Sequence, residues 1–366
     1  MVSRTPSERR GAMVRLVESK TVQRVTPPLL VPAGPYLDLA GEEFGRQLLL
    51  TTANNGVEYC LRPDFTLPIA KSYLDDGMIG VPGAFTYLGP IFRQENGVPM
   101  EYDQAGLELL GQPDASSALD QVLTFARWAL ANYDVTAPSI RLGGVGLFEA
   151  FLASMGISDH WQARIRHRFG HPAAMGRLMS RLTNPEQKAA GAAPDARETI
   201  VEIVTDNMLQ SGLSLVGSRL PEEIADRYIE KQALDASPIP EEMVKLLVDY
   251  LAIVDVPQRA LDKIYQMTRK AGIDLEGSLN TVRSHAAALI ALSPKADVVF
   301  DASFSPRLDY YTGVVFEMTG IEGDILASGG EYDRLLDRLG ASSPVTASGC
   351  ALWTDRLEQE AVRLNG

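Results

Sequence analysis

The stretch Arg307-Leu308-Asp309-Tyr310-Tyr311-Thr312-Gly313, followed by Gly329-Gly330-Glu331-Tyr332-Asp333, decides the reading of this chain. Short strand signals adjoin it at Val298-Val299-Phe300, Val314–Met318, 324–327 and 347–351, so the region predicts antiparallel strands. Tyr310, Tyr311 and Tyr332 bring flat faces with polar tips, and Gly329-Gly330 lets backbone approach closely. Together they can surround a small, planar, polar ligand.

Upstream, the same sheet character recurs. Asn54-Asn55-Gly56 between 47–52 and 57–62 predicts a hairpin, because Asn-Gly suits a turn that needs positive φ. A second hairpin is expected over 84–95 and 102–110 around Asn96-Gly97-Val98-Pro99, and a strand over 139–142. Helices are expected at 5–20, 64–75 and 116–132, the last carrying Leu119, Val122, Leu123, Ala126 and Leu130 at helical spacing. From 147 to 292 the pattern is almost wholly helical, and a final helix is expected over 354–364. The expected architecture is α+β. Residues 1–146 form the first part of a core sheet with flanking helices, 147–292 a helical insertion, and 293–366 the second part of the core.

Composition narrows the function. Across 366 residues the net charge is −13, with no basic run beyond Glu8-Arg9-Arg10, which argues against a broad nucleic-acid surface. Two cysteines, Cys60 and Cys350, supply neither a disulfide framework nor a four-ligand metal site, and read as buried free thiols. The absence of a long apolar run and of a signal-peptide core makes the cytoplasm the expected compartment, with no membrane partner.

Gly143-Gly144-Val145-Gly146 lacks the remaining glycine spacing of a dinucleotide loop and is read as a tight strand-to-helix turn. His160, His167 and His171 would share a face only on an unbroken helix, which Gly170 and Pro172 interrupt, so no metal site is expected. Gln104, Gly106 and Glu108 are more informative. The period of two puts them on one face of an apolar strand, where a buried Gln and Glu need polar partners.

These segments resemble the motifs of histidyl-tRNA synthetases, which are class II aminoacyl-tRNA synthetases. Residues 306–311 are similar to the family's Arg-Gly-Leu-Asp-Tyr-Tyr, and 329–333 to the last five residues of Gly-Gly-Gly-Arg-Tyr-Asp, with Glu331 at the arginine. Phe92-Arg93-Gln94-Glu95 resembles motif 2, whose arginine grips the ATP α-phosphate. Leu61-Arg62-Pro63-Asp64-Phe65-Thr66 resembles the Leu-Arg-Pro-Glu-Gly-Thr that holds the amino acid's ammonium, and Gln104 with Glu108 matches His-Gln-x-Gly-x-Glu. The resemblance implies a class II synthetase-like fold. It also implies a histidine site made by Asp64, Thr66, Arg93, Gln104, Glu108, Tyr310, Tyr311, Gly329, Gly330 and Tyr332. Glu108 would accept from one imidazole N–H and a tyrosine hydroxyl would serve the other ring nitrogen.

The departures fall on the nucleotide chemistry. Pro306 stands where the family has an arginine that stabilises charge during adenylate formation. The motif 2 turn is short, with Glu101 and Asp103 where basic residues would seat ATP. Trp353-Thr354-Asp355-Arg356 resembles the motif 3 pattern Gly-Leu-Glu-Arg, with a tryptophan where glycine leaves room for adenine. The sequence ends at Gly366, with no anticodon-reading domain expected.

The chain is accordingly most similar to the synthetase-like regulatory subunits of ATP phosphoribosyltransferase. That resemblance implies a non-catalytic protein with no cofactor and no tRNA. It would serve a short-form catalytic subunit in the first step of histidine biosynthesis, dimeric within a hetero-octamer, with feedback inhibition by histidine. Two other readings stay open: a truncated synthetase-like enzyme that forms histidyl-adenylate, and a scaffold whose pocket is ancestral packing.

Overall fold

A computed structural model describes residues 4–19, 21–39, 44–94, 97, 99–183, 238–306 and 310–365. The expected features at Arg307-Leu308-Asp309, at Glu95, Asn96 and Val98, and over 184–237 lie outside these residues. Two compact units are defined by their internal contacts: residues 1–150 with 251–366, and residues 151–250.

The first unit is built on a nine-stranded sheet. Its strands are β1 (Gln23–Arg24), β5 (Gly83–Phe92), β6 (Glu101–Leu110), β7 (Ser139–Gly144), β8 (Val254–Asp255), β9 (Asp297–Asp301), β10 (Val314–Thr319), β11 (Ile325–Glu331) and β12 (Ala347–Trp353). Their spatial order is β1-β5-β6-β12-β11-β10-β7-β9-β8. The six strands from β5 to β7 in that order are antiparallel throughout, as expected. The outer pairs β1–β5 and β7–β9 are parallel, which the sequence reading did not foresee. The β6–β12 pair joins segments far apart in the chain: Glu108 on β6 lies opposite Gly349 on β12. A smaller sheet, in the order β2-β4-β3, joins β2 (Leu30–Pro32), β3 (Leu50–Thr52) and β4 (Glu58–Leu61). Its hairpin turns at Gly56, φ 82°, with the Val57 N–H donating to Asn55 Oδ1 at 3.1 Å.

Helices α1 (Pro6–Val17), α2 (Gly34–Leu39), α3 (Thr66–Asp75) and α4 (Ala115–Asn132) belong to this unit. The α1 helix opens on a capping box between Thr5 and Glu8, and α4 on Asp114, whose carboxylate accepts from Ser117 N–H at 3.1 Å. The apolar positions of α4 are buried as their spacing predicts, and the helix lies against β6, β11 and β12. One sheet face therefore meets α4, where Cys350 Sγ lies 3.9 Å from the Val122 carbonyl oxygen. The opposite face carries Gln104, Gly106 and Glu108, with α3 against it.

Helix α5 (Val145–Ser154) starts directly after β7. A Cβ on Gly143 would overlap the Phe304 carbonyl oxygen, and one on Gly146 would lie 2.9 Å from the Thr312 carbonyl oxygen. Close backbone approach accounts for these glycines, in agreement with a strand-to-helix turn.

The second unit contains α6 (Asp159–Arg166), α7 (Pro172–Thr183) and α8 (Glu241–Leu251, its last residue in the first unit). Phe151 and Tyr250 stack there with ring centroids 4.4 Å apart. His160 lies on α6, His167 at its C-terminal cap and His171 just before α7, on separate elements rather than one helical face. Helices α9 (Pro257–Lys270) and α10 (Glu276–Leu292), which the sequence reading placed within the insertion, fall in the first unit. There α9 packs on β9, and α10 on α4. The sheet continues after Asp333 into α11 (Asp333–Arg338) and closes with α12 (Thr354–Asn365). No helix among the described residues is long and apolar enough to cross a membrane.

Two glycines give a test of this packing. Gly143→Ala should destabilise by about 1–3 kcal/mol, since a backbone carbonyl cannot yield as a side chain can. Gly176→Ala, on an exposed face of α7 with nothing near its Cβ position, should stabilise by about 0.5–1 kcal/mol. Urea titration of both variants reads the two signs.

Candidate functional site

Glu108 is 1% exposed and sits mid-strand on β6. Its Oε1 accepts from Thr66 Oγ1 at 2.7 Å and from the Tyr87 hydroxyl at 3.3 Å, while Oε2 accepts from the Tyr332 hydroxyl. These partners are hydroxyls, which solvate a carboxyl without neutralising it. Burial pushes the Glu108 carboxyl up to about 8, against the lowering effect of those same hydrogen bonds. The backbone makes room for it: a Cβ on Gly349 would overlap Glu108 Oε2, and one on Gly106 would overlap the Tyr87 hydroxyl.

Three tyrosines enclose the carboxyl. Tyr310 and Tyr311 have ring centroids 5.2 Å apart, and each meets Tyr332 edge-on, at 5.9 and 6.5 Å. All three are buried, and burial holds their phenols above the ordinary tyrosine range. Tyr87 stacks on Phe65 at 4.3 Å, and Phe65 in turn carries the Arg62 guanidinium at 3.9 Å. Arg62 is tied to the chain by hydrogen bonds to the Pro27, Pro28 and Pro90 carbonyls. The loop from Arg62 to Thr66 is thus fixed on both sides.

Asp64 lies at the start of α3, where Oδ1 accepts from the Leu67 N–H at 3.1 Å and from the Tyr36 hydroxyl at 3.5 Å. Burial raises its carboxyl, and the nearby Arg93 guanidinium opposes the shift. Arg93 donates Nε–H to the Pro63 carbonyl at 2.7 Å and lies over Phe44 at 5.1 Å. Gln104 is 1% exposed and faces Trp353 across the β6–β12 pair. Gly329 and Gly330 are central on β11, opposite Cys350 and Gly349. A Cβ on Gly329 would overlap the Gly349 carbonyl oxygen, and one on Gly330 would lie 2.5 Å from the Val314 carbonyl oxygen.

Glu108, Thr66 and Tyr332 are thus brought into direct contact, and Asp64, Arg93, Tyr310 and Tyr311 gather around them. Gln104 lies farther along the same strand face. Gly329 and Gly330 act through backbone packing. Tyr87 and Tyr36 were missed by the sequence reading. Tyr87 could have been found from register, since it is the cross-strand partner of Gly106. No pattern marked Tyr36, which reaches Asp64 from α2.

The histidyl-tRNA synthetase family matches this chain over residues 3–206 and 218–357. The ATP phosphoribosyltransferase regulatory subunit of Sinorhizobium medicae is 35% identical over 368 residues, covering 96% of this chain and 97% of that protein. Its counterpart in Agrobacterium fabrum is 34% identical over 358 residues, covering 95% of each. This chain belongs to the histidyl-tRNA synthetase-like regulatory subunits of ATP phosphoribosyltransferase. The fold agrees. A solved ATP phosphoribosyltransferase regulatory subunit/histidyl-tRNA synthetase from Bacillus halodurans superposes with TM-score 0.65 at 21% identity, over 97% of this chain and 78% of that one. Histidyl-tRNA synthetase from Nostoc sp. PCC 7120 gives 0.58 at 15% identity, over 98% and 70%.

Within this regulatory-subunit fold, the residues that resemble nucleotide-handling positions have local occupations. Arg356 lies over the Trp353 ring at 5.2 Å and donates to the Ile325 carbonyl at 3.2 Å. Asp103 pairs with Arg10 at 3.1 Å, and its N–H donates to Asp355 at 3.1 Å. Glu331 is engaged with the backbone, accepting from the Val314 N–H at 2.8 Å.

The raised Glu108 carboxyl has a thermodynamic consequence. The folded protein keeps that proton up to about pH 8, while the unfolded chain loses it near the ordinary carboxylate range. Stability should therefore fall as pH rises between those limits, with a slope from this group of at most about 1.4 kcal/mol per pH unit. Glu108→Gln should flatten the slope, leaving the part due to Asp64, Glu331 and Asp333, whose carboxyls are also raised. Urea unfolding at a series of pH values reads the difference.

Proposed function

We propose that the pocket around Glu108 binds free histidine, and that through it this regulatory subunit makes a short-form ATP phosphoribosyltransferase catalytic subunit sensitive to histidine. The observation that carries this reading is a buried carboxyl whose protein partners are all hydroxyls. Such a group prefers a ligand that brings its own N–H or positive charge, and imidazole does so as a flat ring. Glu108 accepts from one ring N–H, and a hydroxyl of Tyr310 or Tyr311 meets the other ring nitrogen. Asp64 and Thr66 lie toward the ammonium with Gln104. Arg93 supplies positive charge beside Asp64.

In this reading the chain has no catalytic step of its own and no tRNA partner. It works in the cytoplasm in the first step of histidine biosynthesis, as a dimer within a hetero-octamer. Names of the relatives support the partnership with a catalytic subunit. The adenylate-forming alternative draws on Arg93 and Arg356, but these are engaged with Pro63, Phe44, Trp353 and Ile325. Histidine-dependent ATP–pyrophosphate exchange separates the two. We expect none above background, and exchange at a substantial fraction of a synthetase's rate would favour the enzyme.

Calorimetry with L-histidine tests the pocket. Glu108→Gln should weaken binding by about tenfold or more, because a charge-assisted hydrogen bond becomes a neutral one. In the complex with the catalytic subunit, that variant should need correspondingly more histidine for inhibition, while the uninhibited rate stays near wild type.

Proton linkage provides a further check. If the bound Glu108–imidazole pair holds one proton, binding should release a proton below about pH 6.5, where free imidazole is charged. It should be proton-neutral up to about pH 8 and take up a proton above that, where free Glu108 is ionised. Affinity should thus be greatest in the middle window. Calorimetry in buffers of different ionisation enthalpy measures the proton count directly.

A further inference from the structure

Gln104 and Trp353 form a directly opposed pair across β6 and β12, on the sheet face that carries Glu108. In such a pair the Cβ atoms are about 4.5–5.5 Å apart, so both side chains reach the same volume. Gln104 is 1% exposed and Trp353 9% exposed. Each nevertheless keeps a buried polar atom without a hydrogen-bond partner: Gln104 Oε1 and Trp353 Nε1. Orphaned polar atoms inside a protein are costly and uncommon, and two of them as neighbours need an explanation.

The two orphans are of opposite kinds. An indole N–H can only donate, and an amide Oε1 can only accept. The α-amino acid head group is their complement, with a carboxylate that accepts and an ammonium that donates. Among ligand ends that present both groups close together, it is the one that the histidine reading of this pocket supplies. The indole is also held in place: the Arg356 guanidinium lies over its ring at 5.2 Å and is itself anchored on the Ile325 carbonyl. A fixed donor of this kind loses little freedom when a ligand arrives.

We propose that Trp353 is a specificity-determining residue of the pocket, whose indole N–H donates to the carboxylate of the bound amino acid while Gln104 Oε1 accepts from its ammonium. The proposal rests on the histidine reading of the Glu108 pocket and adds to it. Trp353 then does more than fill space that a nucleotide would need. It reads the carboxylate, so the site selects an intact amino acid over an imidazole amine.

The test compares L-histidine with histamine, which keeps the imidazole and the ammonium but lacks the carboxylate. Both are titrated by calorimetry into the wild-type protein and into Trp353→Phe, which keeps an aromatic ring but loses the N–H. Wild type should bind histidine more tightly than histamine. Trp353→Phe should lose about tenfold or more for histidine and little for histamine. A second measurement leaves Trp353 in place. In the Trp128→Phe, Trp161→Phe chain, Trp353 is the remaining tryptophan, and its emission should shift on adding histidine but not histamine. Wild type that binds no histidine overturns the pocket reading and this proposal with it. Wild type that binds histidine, with Trp353→Phe equally tight or equally weakened toward both ligands, overturns only the assignment of Trp353. An emission that histidine leaves unchanged does the same.

Discussion

The structure turns on one constraint: a carboxyl placed in the middle of a buried strand. Glu108 is 1% exposed, and its neighbours are hydroxyls that share hydrogen bonds but add no charge. The surrounding architecture answers that need. Thr66 is delivered by the start of α3, Tyr87 by β5, and Tyr332 by the end of β11. Gly106 and Gly349 have no side chains because the carboxyl and its tyrosine partner occupy the space. A buried acid held this way is poised rather than neutralised, as the upward displacement of its titration indicates.

That arrangement contrasts with the positions that resemble the nucleotide-handling residues of the synthetase family. The end that would recognise an amino acid keeps buried, converging polar groups. Residues that would handle a nucleotide are engaged within the protein: Arg93 on a backbone carbonyl, Arg356 on an indole and a carbonyl, Asp103 with Arg10. Positively charged groups already committed to local partners must give up those contacts before they can stabilise a triphosphate. The family to which this chain belongs carries the name of a regulatory subunit.

Sequence and structure agree most closely where local pattern and burial act together. Strands β6 and β12 and helix α4 lie within one or two residues of their expected spans, because alternation and helical spacing directly encode which face is buried. Agreement is weaker where a contact distant in sequence decides. The helical character of 257–292 was legible, but its membership in the first unit was not, since that depends on α9 meeting β9 and α10 meeting α4. Likewise, β8 is only two residues long and exists through its pairing with β9.

By itself the sequence determined the polar and aromatic residues that the motifs bring together, the placement of Gln104 and Glu108 on one strand face, and, through the resemblance to the family, the departures at Pro306 and Trp353. The strand-face placement follows from periodicity and residue chemistry, which are local, and the departures from the resemblance of short motifs to the family. Only the tertiary structure decided that Glu108 is solvated by Thr66, Tyr87 and Tyr332, residues 42, 21 and 224 positions away. It also decided that Tyr36 supports Asp64, and that Gln104 and Trp353 face each other with one unmet hydrogen-bonding atom apiece. The physical reason is register. Pairing β6 with β12 joins distant parts of the chain, and a shift of one residue would turn every one of these side chains to the opposite face.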